Sequence, residues 1–189
     1  KDCKQKVLED CLANTVSPLR YACDPSLFDG IPGSTFSYWA TKSILSTFSQ
    51  GLLLESITCH ALGGIKTLDD SRFLRTWWEP PMTMETHTLW PPMVKGGSRY
   101  QFYGPVPLVV DWRKKGLDIS WYGYQRRPRE GFGGATRGLE SYFEPGLTWA
   151  RRSGKLKMRI MPRGCIFSDK GPAIIDIENN SSYLLYLLG

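Results

Sequence analysis

The sequence predicts a mixed α+β fold: one long helix packed beside a bent, mostly antiparallel sheet with long loops. Three observations carry this. Helical apolar spacing is confined to the region before Gly51; after Leu52 the apolar residues fall in short runs separated by Gly and Pro; and no repeat is visible. At 189 residues with 41% hydrophobic and 22% charged side chains, the chain is long enough for one buried core.

Residues 1–32 combine a short amphipathic stretch (Val7, Leu8, Cys11, Leu12) with Pro18, Pro25, Gly30 and Pro32, which reads as a peripheral helix and linker. The main domain is placed at 33–189. From Ser34 or Thr35, either able to cap a helix, apolar residues recur at Phe36, Trp39, Ala40, Ile44 and Phe48 until Gly51. Strands are expected at Leu53–His60, Tyr100–Tyr103, Leu108–Trp112, Leu147–Trp149, Leu156–Ile160, Cys165–Phe167 and Ala173–Ile177. Two Pro- and Gly-rich stretches, Glu79–Gly97 and Gln125–Gly138, are expected to be surface loops. The chain starts at Lys1 without Met and closes on Tyr183, Leu184, Leu185, Tyr186, Leu187 and Leu188, a pattern like a helix cut short. It therefore reads as a segment of a longer protein, truncated at its C-terminus.

Several chemistries lack their residues. No apolar run approaches the roughly 20 residues of a bilayer span, so no membrane role is expected and the location expected is cytoplasmic. The five cysteines, Cys3, Cys11, Cys23, Cys59 and Cys165, are odd in number and scattered, fitting a reduced compartment. There is no C-x-x-C and no H-E-x-x-H, and only His60 and His87 are present, so no metal is expected. Cys59 and His60 are neighbours that a strand would point to opposite faces. The cluster Gly131, Gly133, Gly134, Gly138 follows Arg127, Pro128 and Arg129 instead of a hydrophobic strand, so it reads as a loop and not a dinucleotide fingerprint. Glu79-Pro80-Pro81-Met82 and Trp90-Pro91-Pro92-Met93 lack both the amide and the aromatic of an adenine-binding Asn-Pro-Pro-aromatic tetrad. No catalytic residue is assigned.

Charge carries the functional signal. The formal net charge is +6, yet Arg99–Lys170 holds 15 Lys and Arg against 6 Asp and Glu, while the rest holds 9 against 12. A cationic face beside aromatics suits a phosphate backbone. Lys155-Leu156-Lys157-Met158-Arg159-Ile160 alternates cation and hydrophobe; as a strand it would bury Leu156, Met158 and Ile160 and expose a ladder of Lys155, Lys157 and Arg159. Pro162-Arg163-Gly164 would then turn a hairpin into Cys165-Ile166-Phe167. Lys66, Thr67, Arg72, Lys95 and Lys170 are further candidates for phosphate contact. Arg126, Arg127, Arg137, Arg151 and Arg152 sit on loops and are the candidates for reading base edges, because guanidinium matches the guanine O6 and N7 acceptors. Asp69 and Asp70, without a histidine partner, read as turn or helix-capping residues.

The order of these pieces resembles the target recognition region of large adenine-N6 DNA methyltransferases. Carrying the resemblance are Pro32-Gly33-Ser34 with Tyr38-Trp39, Gly64, Thr67 and Asp70 to Arg75, Lys95-Gly96-Gly97, Tyr103-Gly104 and Val109-Val110-Asp111-Trp112. Tyr142-Phe143, Gly146-Leu147-Thr148-Trp149, Arg159, Pro162, Gly164, Ile166-Phe167, Lys170-Gly171-Pro172 and Tyr183-Leu184-Leu185 continue it. The group resembled is the methyltransferases of BREX-type phage-defence systems and related type II restriction-modification enzymes, over roughly Ile31 to Leu188. Asp70, Pro105 and Asp111 stand where relatives often carry Asn, and Ala150-Arg151-Arg152 replaces a Ser-rich loop. The resemblance implies a non-catalytic, sequence-specific recognition domain for double-stranded DNA. It also implies a separate catalytic domain N-terminal to Lys1 that uses S-adenosylmethionine; no cofactor is expected in this segment. The alternative is a protein-interaction module, docking other defence subunits through Trp77, Trp78 and Trp90. An enzyme hidden in the Pro- and Gly-rich loops is the remaining reading, and would need two ionisable groups within hydrogen-bond reach in a deep cleft.

Overall fold

A computed structural model of the chain describes residues 2–13, 16–20, 22–51, 59–81, 83, 85–96 and 100–176. Most of the expected Leu53–His60 strand, the side chains of Cys59 and His60, and the Tyr183–Leu188 pattern lie outside what is described. The chain divides into two compact units, residues 1–53 and 54–189.

The first unit holds helix α1 (Asp2–Ala13), a 3-10 turn (Pro25–Phe28) that Asp24 caps, and helix α2 (Lys42–Gln50). The expected helix begins later than the apolar spacing suggests. Gly33 (φ 76°) and Ser34 (φ 45°) form a turn, and the cap is Thr41, whose side chain accepts from the Ile44 N–H at 3.4 Å. Phe36, Trp39 and Ala40 therefore precede the helix. At the other end the Gly51 N–H donates to the Thr47 carbonyl, as the stop signal implies.

The second unit is α+β, as the sequence predicts. One four-stranded sheet runs in the order β1 (Cys59–Leu62), β8 (Ala173–Asp176), β5 (Gly146–Trp149), β6 (Met158–Met161), all antiparallel. The other runs β2 (Leu74–Thr76), β4 (Leu108–Val110), β3 (Pro92–Val94), β7 (Ile166–Phe167), antiparallel except for the parallel β3–β7 pair. Short helices α3 (Asp70–Phe73) and α4 (Thr86–Leu89) lead into β2 and β3, and α5 (Leu117–Arg126) follows β4.

Four expectations are corrected. First, β7 pairs with β3 and not with β6, so Pro162-Arg163-Gly164 passes the chain between sheets instead of closing a hairpin. Second, Glu79–Gly97 is not wholly a surface loop: Met93 and Val94 are buried at the centre of a sheet, and Pro92 starts the strand, where a missing N–H is tolerated. Third, Gln125–Gly138 opens on the last two residues of α5 and continues through 3-10 turns, with Gly134, Ala135 and Thr136 buried. Fourth, the Tyr100–Tyr103 strand reduces to a bridge of Phe102 with Arg159.

Helix α5 has no large-apolar stripe to betray it. It buries Ile119, Ser120 and Gly123, and Gly123 comes so close to Ala135 that an added Cβ would lie 2.4 Å from the alanine methyl. The Ser120 and Thr136 hydroxyls bond at 2.8 Å across the same contact. The core gathers Ile65, Phe73, Met93, Val110, Trp112, Ile119, Met161 and Phe167. Phe167, fully buried and edge-on to Tyr142 at 5.2 Å, contributes roughly 2–3 kcal/mol by burial.

Candidate nucleic-acid interface

Parallel pairing builds the site. Beyond the parallel β3–β7 pair, Ile65 bridges Ser168, also in parallel. The Ile65 N–H donates to the Phe167 carbonyl (2.9 Å), Asp169 N–H to the Ile65 carbonyl (3.1 Å) and Ser168 N–H to the Val94 carbonyl (3.1 Å). Three chain segments thus run side by side in one direction, and their continuations, Lys66-Thr67, Lys95-Gly96 and Asp169-Lys170, emerge at one end. Ligands gather outside the carboxyl ends of parallel strands for this reason.

Glycine permits the approach. A Cβ on Gly96 would lie 1.9 Å from the Lys170 carbonyl oxygen, and one on Gly171 would lie 2.6 Å from the Gly96 nitrogen. The Lys-Gly pairs at 95–96 and 170–171 are therefore a backbone crossing that only glycine allows.

At this end lies a cleft of about 290 Å³ lined by Lys66, Thr67, Asp70, Lys95, Arg127 and Lys170 among others. It shares Asp169 and Lys170 with a wider cleft of about 560 Å³, to which Arg151 and Arg152 contribute. A small recess continues from there past Gly96 and Ala150 to Tyr100, Lys157 and Arg159. Nine of the thirteen candidate side chains therefore line one continuous groove.

The groove has two electrostatic characters. At one end the cations are paired. Lys66 Nζ donates to Glu130 Oε2 at 2.7 Å, Arg127 to Glu130 Oε1 at 3.1 Å, and Arg137 approaches the same carboxylate at 3.8 Å. Lys95 pairs with Asp70, whose other oxygen accepts from Thr67 Oγ1 at 2.5 Å. Hydrogen bonds from Lys66 and Arg127 hold the Glu130 carboxyl below its ordinary range. Burial pushes Asp70 up, but hydrogen bonds from Lys95 and Thr67 and the charges of Lys95 and Lys170 outweigh it, leaving Asp70 low. At the other end, Arg151, Arg152 and Lys157 are exposed and have no ion-pair partner among the described residues; Lys170, exposed and likewise in no ion pair, lines both clefts and stands near enough to Asp70 to act on its charge.

The expected cationic ladder does not form. Strand β6 begins only at Met158, and its parity is the reverse of that expected: Arg159 is 7% exposed and Met161 buried, whereas Leu156 and Ile160 are exposed. Met161, one residue beyond the alternating stretch, is what the core takes. Arg159 shares its face and turns inward, where Nη2 donates to the Lys95 carbonyl at 3.1 Å. Burial lowers its pKa from the usual arginine value. Lys155 and Lys157 lie in the exposed turn before the strand.

Arg72, Arg126, Arg137 and Lys155 do not line the groove. Arg72 and Arg126 both stack on Tyr122, at 4.9 and 5.2 Å, and Arg126 also donates to the Tyr122 hydroxyl. Asp69 caps α3, accepting from the Arg72 N–H, whereas Asp70 turns to Lys95. Sequence reasoning missed Glu130, since it lies 64 residues from Lys66 and nothing local marks their pairing. Among the described residues no group of three or more His, Cys, Asp or Glu is arranged to hold a metal. No described helix is long and apolar enough to cross a membrane.

No protein-family model matches the chain. It is similar to the adenine-specific methyltransferase BrxX of Escherichia coli O9:H4 (strain HS), 28% identical over 166 residues, covering 84% of this chain and 13% of that protein. It is also similar to the adenine-specific methyltransferase PglX of Lacticaseibacillus casei (strain Zhang), 25% identical over 203 residues, covering 98% of this chain and 16% of that protein. Both relatives are adenine-specific methyltransferases. The chain spans 13% and 16% of their lengths, so the similarity ties it to one portion of such a protein.

Proposed function

We propose that this chain is the sequence-specific double-stranded DNA recognition segment, residues 33–189, of an adenine-N6 methyltransferase in BREX-type phage defence. It has no chemistry of its own; the methyl transfer from S-adenosylmethionine belongs to a catalytic domain elsewhere in the parent chain. The observation that carries the reading is the meeting of cations from five separate stretches (residues 66, 95, 127, 151–157 and 170) in one groove. Similarity to two methyltransferases supplies the context.

Within the groove, Lys157 and Lys170 contact phosphates, and the unpaired Arg151 and Arg152 are the foremost base readers. Arg159 positions Lys95 and does not itself reach DNA. Arg72 and Arg126, stacked on Tyr122, are assigned a structural role. The test is titration of the chain with duplex DNA at several salt concentrations. Log affinity is expected to fall linearly with log salt, with a slope of about 0.9 per phosphate contacted. Binding that ignores salt overturns the reading.

A second reading rests on a separate apolar cleft of about 550 Å³ lined by Trp77, Pro80, His87, Trp90 and Val106. Trp77 and Trp78 beside it are more than half exposed and meet edge-on at 5.5 Å. Such a cleft suits an apolar side chain of another defence subunit. If that is its main role, Trp77→Ala abolishes co-elution with purified subunits of the same system while DNA affinity is unchanged.

A further inference from the structure

The paired and unpaired ends of the groove demand a reason, since a surface selected only for attraction to phosphate gains nothing from carboxylates. We propose that Asp70 and Glu130 are built-in counter-anions that hold Lys95, Lys66 and Arg127 out of non-specific phosphate contact. This inference rests on the DNA-binding reading and deepens it.

The geometry supports the assignment. Glu130 takes Lys66 on one side at 2.7 Å and Arg127 at 3.1 Å, with Arg137 at 3.8 Å, so one carboxylate engages three cations from two stretches. Asp70 engages Lys95 on one oxygen while Thr67 fixes the other. A phosphate arriving at this end must share or displace a carboxylate already seated on the cation, which removes most of the counterion-release gain. At the other end Arg151, Arg152 and Lys157 have no carboxylate seated on them among the described residues, so a phosphate displaces none there; Lys170 stands between the two ends, lining the Asp70 cleft as well, and Asp169 beside it is in no ion pair among the described residues. Non-specific duplex therefore feels only the unpaired end, and discrimination improves because the sequence-independent background is kept low.

The experiment measures affinity of the 189-residue chain for a 20-bp duplex of random sequence against salt, for wild type, Asp70→Asn, Glu130→Gln and Glu144→Gln. Glu144 pairs with Arg163 at 3.3 Å and lines none of the three clefts, so its variant makes the same charge change elsewhere. The expected result is a salt slope steeper by about one unit for Asp70→Asn and about two for Glu130→Gln, with affinity at 0.1 M salt rising roughly tenfold per unit, and no change in slope for Glu144→Gln. If wild type binds in a salt-dependent way and both groove variants keep its slope or weaken it, the counter-anion role is overturned and the DNA reading stands. If Glu144→Gln matches the groove variants, only net charge matters and the role is likewise overturned. Absence of salt-dependent binding by every protein overturns both. Should Asp70→Asn fail to fold, Glu130→Gln carries the test alone, and should Glu130→Gln fail, Asp70→Asn does.

Discussion

The guanidinium of Arg159 donates to the main-chain carbonyl of Lys95 at 3.1 Å, tying the second strand of one sheet's edge hairpin to the end of a strand in the other. A residue that looks like a DNA contact in the sequence is thus an internal strut for another. Removing it by Arg159→Ala leaves the Lys95 carbonyl without its donor and a void beneath it, costing about 2 kcal/mol. The midpoint of thermal unfolding is expected to fall by about 4–8 °C. Affinity for random duplex and its salt slope are expected to stay near wild type, since Asp70 already holds Lys95; a slope lowered by a full unit would make Arg159 a phosphate contact after all.

Lys170→Ala and Lys157→Ala are each expected to lower the salt slope by about one unit and weaken all duplexes alike. Arg126→Ala, which removes a side chain folded over Tyr122, leaves the slope as it was. Arg151→Ala or Arg152→Ala, if the lost group reads a base, costs about 1–3 kcal/mol at one position of a selected site. Selection from a random duplex library, followed by titration of single-base variants, measures this.

Gly96→Ala forces a methyl to within 1.9 Å of the Lys170 carbonyl oxygen, and both partners are backbone, so the crossing must open. A loss of roughly 3 kcal/mol or more follows, read as a large fall in the unfolding midpoint. Gly154→Ala is the comparison: its Cβ meets nothing within 4 Å, and the midpoint should hold to within about 2 °C.

Acid should weaken the second unit through Asp70. Its folded pKa lies below its unfolded value, so its contribution is fully present above the unfolded carboxylate range and is lost as pH falls through the folded value. Urea midpoints measured from pH 6 to pH 2 should therefore decline below about pH 4. The decline should be smaller in Asp70→Asn than in wild type.

Burial in the core pushes the Cys165 thiol up to about 11, so at pH 8 it remains protonated and shielded. Alkylation followed by mass spectrometry should label the exposed Cys3 and Cys23 first. Cys165 should react at least ~10-fold more slowly and reach their rate only on unfolding.

Much of the fold was legible. Strands near Leu108, Leu147, Cys165 and Ala173 lie where β-rich runs bounded by Gly and Pro place them, because local pattern and burial agree there. Helix α5 was not, because it packs through Gly123 and Ser120 and close approach of small residues leaves no apolar period to read. Strand β3 was hidden by Pro91 just before it and Pro92 at its first position. In the groove, the cationic excess of Arg99–Lys170 was visible as a count, but the partner of each cation was not.

The amino-acid order by itself determined the α+β class, the placement of positive charge and the Lys-Gly pairs at 95–96 and 170–171. Tertiary structure alone decided which cations meet and which face inward. Parallel pairing of Met93 with Ile166 and of Ile65 with Ser168, segments far apart in the chain, brings Lys66, Lys95 and Lys170 to one end. Core demand for Met161 sets the parity that buries Arg159. Both are long-range effects: strand register is fixed by what the opposite face must bury, and a one-residue shift moves every side chain to the other side of the sheet.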